Sequence, residues 1–216
     1  MAAMPGVLPI QRVLLGAAGQ DSGRAAWVFH LDNECAHIAR VTKEPIMAQV
    51  RLAWWRDALA GPDLRPEQHT EATVALRALE GFALMRPHLL AMIDGWEELA
   101  AWNGENRGAM LDAYSGGRGG GLFSALVPES AGEAAVAGRI WALWDLAGHM
   151  ADDILASEAL AFARRRAEVA DHPVLPRMVA MMAIVARADV LRGRAAPANL
   201  TPGLYLRLLR AQFFER

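Results

Sequence analysis

Apolar positions recur along this chain at the three- and four-residue spacing of a helix, and no run of four or more residues alternates as a half-buried strand does. Alanine and leucine, the strongest apolar helix formers, dominate those positions, while β-branched residues are scattered. Local punctuation predicts where the helices begin and end. Asp21-Ser22 precedes a periodic run from Arg24 to Val41. Glu44-Pro45 opens a second helix, with proline in its first turn, that reaches Ala60 and stops at the turn Gly61-Pro62-Asp63. A third helix runs from Glu67 to Leu79 and is closed by Gly81, and Pro87 opens a fourth that reaches Trp102. After a loop at Asn103-Gly104-Glu105-Asn106, helix resumes over Arg107 to Ala113. Gly116 to Gly121, with Arg118 its only non-glycine, interrupts it as a kink or a place of close helix packing. Ala131 to Ala156 is the longest helical pattern, and Ser157 to Val169, Pro173 to Arg192 and Thr201 to Phe214 complete the set. No internal repeat is visible. The one linker-like stretch, Arg194 to Pro202, joins two helices rather than two domains, so residues 1–216 read as a single all-α domain.

Composition narrows the function classes. The chain has 216 residues, is 54% hydrophobic and carries a net charge of −2, enough apolar material for a sizeable core and too little charge for intrinsic disorder. A pI near 6.3 and the lack of a basic block argue against nucleic acid as a partner. The single cysteine, Cys35, excludes an intramolecular disulfide framework and a cysteine-based zinc site, and it fits a reducing compartment. No stretch reaches the roughly 18 apolar residues of a membrane span. Met1 to Gly6 lacks a charged segment leading into an apolar one, so a soluble cytoplasmic protein is expected.

Several clusters are candidates for chemistry. In Arg51-Leu52-Ala53-Trp54-Trp55-Arg56-Asp57-Ala58-Leu59, the residues Leu52, Trp55 and Leu59 form one apolar stripe, as in an amphipathic core helix with two large anchors. The other reading has Arg51 or Arg56 pointing into a cavity and pairing an anion, for which the planar, permanently charged guanidinium is suited. Asp145, His149 and Asp152 stand at i, i+4 and i+7 in an apolar pattern, the spacing of a metal or diphosphate–metal site on one helix stripe. Alternatively, His149 pairs locally with an acid, and Asp152-Asp153 mark a solvated helix end. Asp32 and Glu34 read as surface acids, since Ala36 and Ile38 stand four residues on. Arg164-Arg165-Arg166 reads as a basic helix end or an anion patch. Met178, Met181 and Met182 read as core. The apolar face Leu204, Tyr205, Leu208, Leu209 and Phe213 of the last helix reads as a cover or as ordinary core packing.

The stretch Glu44 to Leu59 resembles the second helix region of the squalene/phytoene synthase family, most closely its proteobacterial branch. Ile93-Asp94-Gly95-Trp96-Glu97-Glu98-Leu99, Tyr114-Ser115-Gly116-Gly117-Arg118-Gly119-Gly120-Gly121-Leu122-Phe123 and Leu143-Trp144-Asp145-Leu146-Ala147-Gly148-His149 resemble further segments of that family in the same order. The resemblance covers about residues 20 to 190. It implies an isoprenoid-synthase-type helical bundle around a central apolar cavity, with prenyl diphosphate or an isoprenoid lipid as ligand. It implies substrate contacts from Arg51, Arg56 and Tyr114, and a metal position at Asp145, His149 and Asp152. In catalytic members, Mg2+ held by two D-x-x-x-D motifs stabilises diphosphate departure during head-to-head condensation.

This sequence departs from that pattern. Asp32 and Glu34 have no carboxylate four residues on, and a histidine stands where the second motif needs an acid. At 216 residues the chain is short for the family, which implies a bundle shortened at its C-terminal end. Its cavity would be more open, or covered by a partner or a second copy. The expectation is a family member with degraded aspartate-rich motifs that binds a prenyl lipid or a protein partner without efficient catalysis. The family has such a non-catalytic branch, represented by a mitochondrial respiratory complex I assembly factor. The alternative is an active Mg2+-dependent prenyl-diphosphate transferase of the phytoene or squalene type. A third option is a membrane-peripheral role, using the arginines and the apolar last helix.

Overall fold

The computed structural model of the protein describes residues 6–42, 44–171 and 173–214, so the reading of the first residues, Met1 to Gly6, falls almost wholly outside them. Among the described residues every regular element is helical: α1 (Pro9–Leu15), α2 (Ser22–Val41), α3 (Pro45–Ala60), α4 (Glu71–Arg77), α5 (Phe82–Ala101), α6 (Arg107–Tyr114), α7 (Gly121–Leu126), α8 (Ala131–His149), α9 (Asp153–Val169), α10 (Arg177–Leu191) and α11 (Pro202–Phe214). The all-α expectation is met. No helix among the described residues is long and apolar enough to cross a membrane.

Several boundaries differ from those predicted: α1 was not expected, and the helix expected from Pro173 begins at Arg177. The helix expected to open at Pro87 begins at Phe82, after Gly81 takes a left-handed φ of 75° that only glycine adopts at little cost. Pro87 sits exposed within it, while Met85, two residues earlier, is fully buried and holds the first turn to the core. The helix expected over Glu67 to Leu79 starts at Glu71, because Thr70 caps it: its hydroxyl accepts from the Thr73 amide at 3.2 Å. The long helix expected from Ala131 to Ala156 is two. α8 stops at His149, Met150 is extended, and the Asp152 carboxylate caps α9 by accepting from the amides of Ile154 and Leu155 at 2.9 and 3.0 Å.

Helices α5 and α8 organise the bundle. α5 packs on α2, α3, α6 and α7, and α8 packs on α7, α9 and α10. Between them lies one turn of π-helix, Ser115–Gly120, joining α6 to α7. Its glycines explain how it fits. A Cβ on Gly117 would stand 2.6 Å from the Gly95 nitrogen of α5, and one on Gly119 would stand 2.6 Å from the Gly138 carbonyl carbon of α8. Of the two readings of the glycine run, close helix packing is the one these distances support. Trp96, Tyr114, Trp141 and the Arg118 guanidinium pack together among α2, α5 and α8. A cavity of about 790 Å³ opens beside α8, against α10 and α11.

Candidate functional site

Arg118 is the one charged side chain of the glycine turn, and it is 4% exposed. Its guanidinium makes a two-pronged pair with Asp32 of α2: Nε donates to Oδ1 and Nη2 to Oδ2, both at 3.0 Å. Nη1 donates to the Tyr114 hydroxyl and to Asp145 Oδ2 of α8, each at 2.6 Å. The indole nitrogen of Trp96 donates to Asp32 Oδ1 at 2.7 Å. Arg118 also lies over the rings of Trp96 and Trp141, 4.3 and 4.8 Å from their centres. His149 closes the cluster: its Nδ1 lies 2.8 Å from the Asp145 carbonyl oxygen and 3.3 Å from Asp145 Oδ1.

The electrostatics follow from this geometry. Burial favours the neutral form of Asp145, but the Arg118 charge and the contact with His149 outweigh it and hold the carboxyl well below the usual carboxylate range. The hydrogen bond to Asp145 raises the His149 imidazole above its ordinary value, against the effect of partial burial. Burial pushes the Tyr114 phenol up, so it stays a neutral hydroxyl to any physiological pH. Burial likewise raises the Cys35 thiol, with the Asp32 charge adding to it, so Cys35 is an inert core residue. Two carboxylates and one guanidinium leave one net negative charge, which a protonated His149 offsets at the edge of the cluster.

This arrangement does not suit a divalent cation. Each oxygen of Asp32 and Asp145 already faces a donor: Oδ1 and Oδ2 of Asp32 and Oδ2 of Asp145 accept from Arg118, and Oδ1 of Asp145 faces His149. A permanently charged guanidinium holds the space between the carboxylates, where Mg2+ would need free oxygens. Among the described residues, no group of three or more His, Cys, Asp or Glu side chains is arranged to hold a metal ion.

The residues singled out from the sequence are distributed as follows. Tyr114 lies in the central cluster, bound to Arg118 rather than open to a ligand. Asp145 and His149 meet, but Asp152 belongs to the cap of the next helix and does not join them. Arg51 is exposed. Arg56 bridges α3 to α5 through Asp94 and Glu97, beside a shallow cleft lined by Gln49, Val50 and Glu98. The tryptophan helix thus follows the core-helix reading, with Leu52, Trp55 and Leu59 buried. Asp32, read as a surface acid, is 3% exposed. It lies on the buried stripe Ala25, Phe29, Asp32, Ala36 of α2, and that apolar context was its signal in the sequence. Arg164, Arg165 and Arg166 are occupied by Glu168, by the Phe162 ring and by Asp112 together with that ring, as a solvated helix end would be.

Comparison of the chain with protein-family models, curated proteins and solved structures finds no match.

Proposed function

We propose that the protein is a non-catalytic relative of the squalene/phytoene synthases, an isoprenoid-synthase-type bundle that binds an isoprenoid lipid and does not condense prenyl diphosphates. The carrying observation is the Arg118 guanidinium tied to both Asp32 and Asp145. Those acids stand on the two helices, α2 and α8, where the resemblance implies the metal-binding motifs. A built-in cation is shared between them, and their oxygens face its donors and His149 rather than a diphosphate-bound metal. Breaking the pair to admit one would strand a buried charge, at about 3–5 kcal/mol. Ligand binding needs no such rearrangement.

The test is incubation of the purified protein with labelled farnesyl and geranylgeranyl diphosphate in the presence of Mg2+. The expected result is no condensed hydrocarbon and no cyclopropyl diphosphate intermediate. Appearance of either product above a no-protein control overturns the reading.

A further inference from the structure

The cavity beside α8 differs in character from the centre of the bundle. Its α8 wall presents Val136 and Ile140, and the loop before α10 adds Val174 and Leu175. α10 presents Arg177, Ala180, Ala183, Ile184 and Arg187, one helix stripe that is apolar and small in the middle and cationic at both ends. Ten residues of helix separate the two arginines, about 15 Å along the axis. The cavity is therefore an elongated groove with a charge at each end, and its volume of about 790 Å³ is within the range of small-molecule sites.

The two ends are not equivalent. Arg187 donates to the Ala170 carbonyl at 3.1 Å, and the neighbouring Asp171, also in the lining, sets a negative charge near that end. Arg177 is exposed and has no ion-pair or hydrogen-bond partner among the described residues. The uncompensated positive charge of the groove is at the Arg177 end.

We propose that this groove binds a single-chain amphiphile, its hydrocarbon tail lying along Ala180, Ala183 and Ile184 and its anionic head group paired with Arg177. An acyl carboxylate and a prenyl phosphate share that chemistry. The site deepens the lipid-binding reading above by placing the lipid, but it lies away from the Arg118 cluster and can be tested apart from it.

The experiment titrates the delipidated full chain with saturated carboxylates of increasing length, with matched neutral alcohols and with farnesyl monophosphate, all below their micelle concentrations. Affinity is expected to rise about fourfold per added methylene until the groove is full. The charged head group should add about fivefold over the alcohol. Arg177→Gln, a surface change, should erase the head-group preference and keep the chain-length slope. Ala183→Trp should remove binding while the melting curve stays cooperative. Comparison of farnesyl monophosphate with a carboxylate of equal chain length identifies the acyl or prenyl source. A flat chain-length series, or an unchanged head-group preference in Arg177→Gln, overturns the proposal. So does a concentration-dependent dimer abolished by Ala183→Trp, which would give the groove to a second copy. Prenyl condensation would sink the non-catalytic reading whatever the groove binds, whereas an empty groove without condensation sinks only this one.

Discussion

Arg118 carries a charge that cannot be titrated away inside the protein, and it is surrounded by two carboxylates, a phenol and two indole rings. Such a cluster is costly to break and less costly to replace. Removing the guanidinium alone, as in Arg118→Met, leaves two buried carboxylates facing each other, and a loss of about 3–5 kcal/mol is expected in urea denaturation. The triple variant Asp32→Leu, Arg118→Met, Asp145→Leu removes every charge together and should lose less than the single change. If the single change proves the milder, the three groups are not coupled as the geometry demands. The edge of the cluster sets a pH window. The depressed Asp145 carboxyl contributes stability above its ordinary value of 3.8, lost as pH falls through the lowered one. The raised His149 imidazole contributes stability that is full below 6.5 and lost as pH rises through its folded value. Stability from this pair is therefore greatest between about pH 4 and 6.5. His149→Gln should flatten the alkaline decline and keep the acid one, and denaturation midpoints at stepped pH would check this.

Helix identity was legible from period and punctuation because both are local: Pro45 in a first turn and Gly61 after the last residue bound α3 as predicted. The displaced boundaries answer to burial and to side-chain caps rather than to hydrophobic period. Met85 starts α5 before Pro87 because it is buried by other helices, and Asp152 ends the α8 pattern with a side-chain cap that competes with helix continuation. Asp152→Ala should accordingly cost about 1 kcal/mol, read from a shift in melting temperature. The central cluster was the least legible feature. The glycine run reads as a kink or a place of close helix packing, but no spacing rule reveals that α5 and α8 are the helices that flank it at backbone contact distance, or that Arg118 points between them. What the sequence did carry was the combination of a glycine run in helical surroundings with an acid, Asp32, inside an apolar stripe. The wedge gives its own prediction. Gly119→Ala places a methyl against the Gly138 backbone, where neither side can yield cheaply, and should cost about 1–3 kcal/mol. Gly132→Ala, in the first turn of α8 with nothing within 4 Å of the added methyl, should stay within about 1 kcal/mol of the wild type. Equal effects from the two would show that the turn is not held by close approach.

At the scale of the whole molecule, the groove depends on a helix held to the bundle at one edge. α11 supplies Ala211 and Gln212 to the lining, and it packs on α10. Two kinds of contact dock it. Leu204 and Leu208 are buried against the core, contributing about 3–6 kcal/mol together. Asp189 of α10, 1% exposed, accepts from Arg207 of α11 and, at 2.9 Å, from Arg194 Nε in the preceding loop. Both arginines are partly in water, so on losing the carboxylate they can be resolvated, and the cost is nearer 1–3 kcal/mol than that of a fully buried pair. The apolar contacts are the larger contribution. Asp189→Asn should therefore loosen α11 without detaching it, because Leu204 and Leu208 stay buried. Amide exchange is expected to quicken across α11 while α5 and α8 keep their protection, with amphiphile affinity at the groove falling in the same variant. Faster exchange with undiminished affinity would show that the α8 and α10 walls bind the tail alone. Unchanged exchange would show that the two leucines are sufficient to dock the helix.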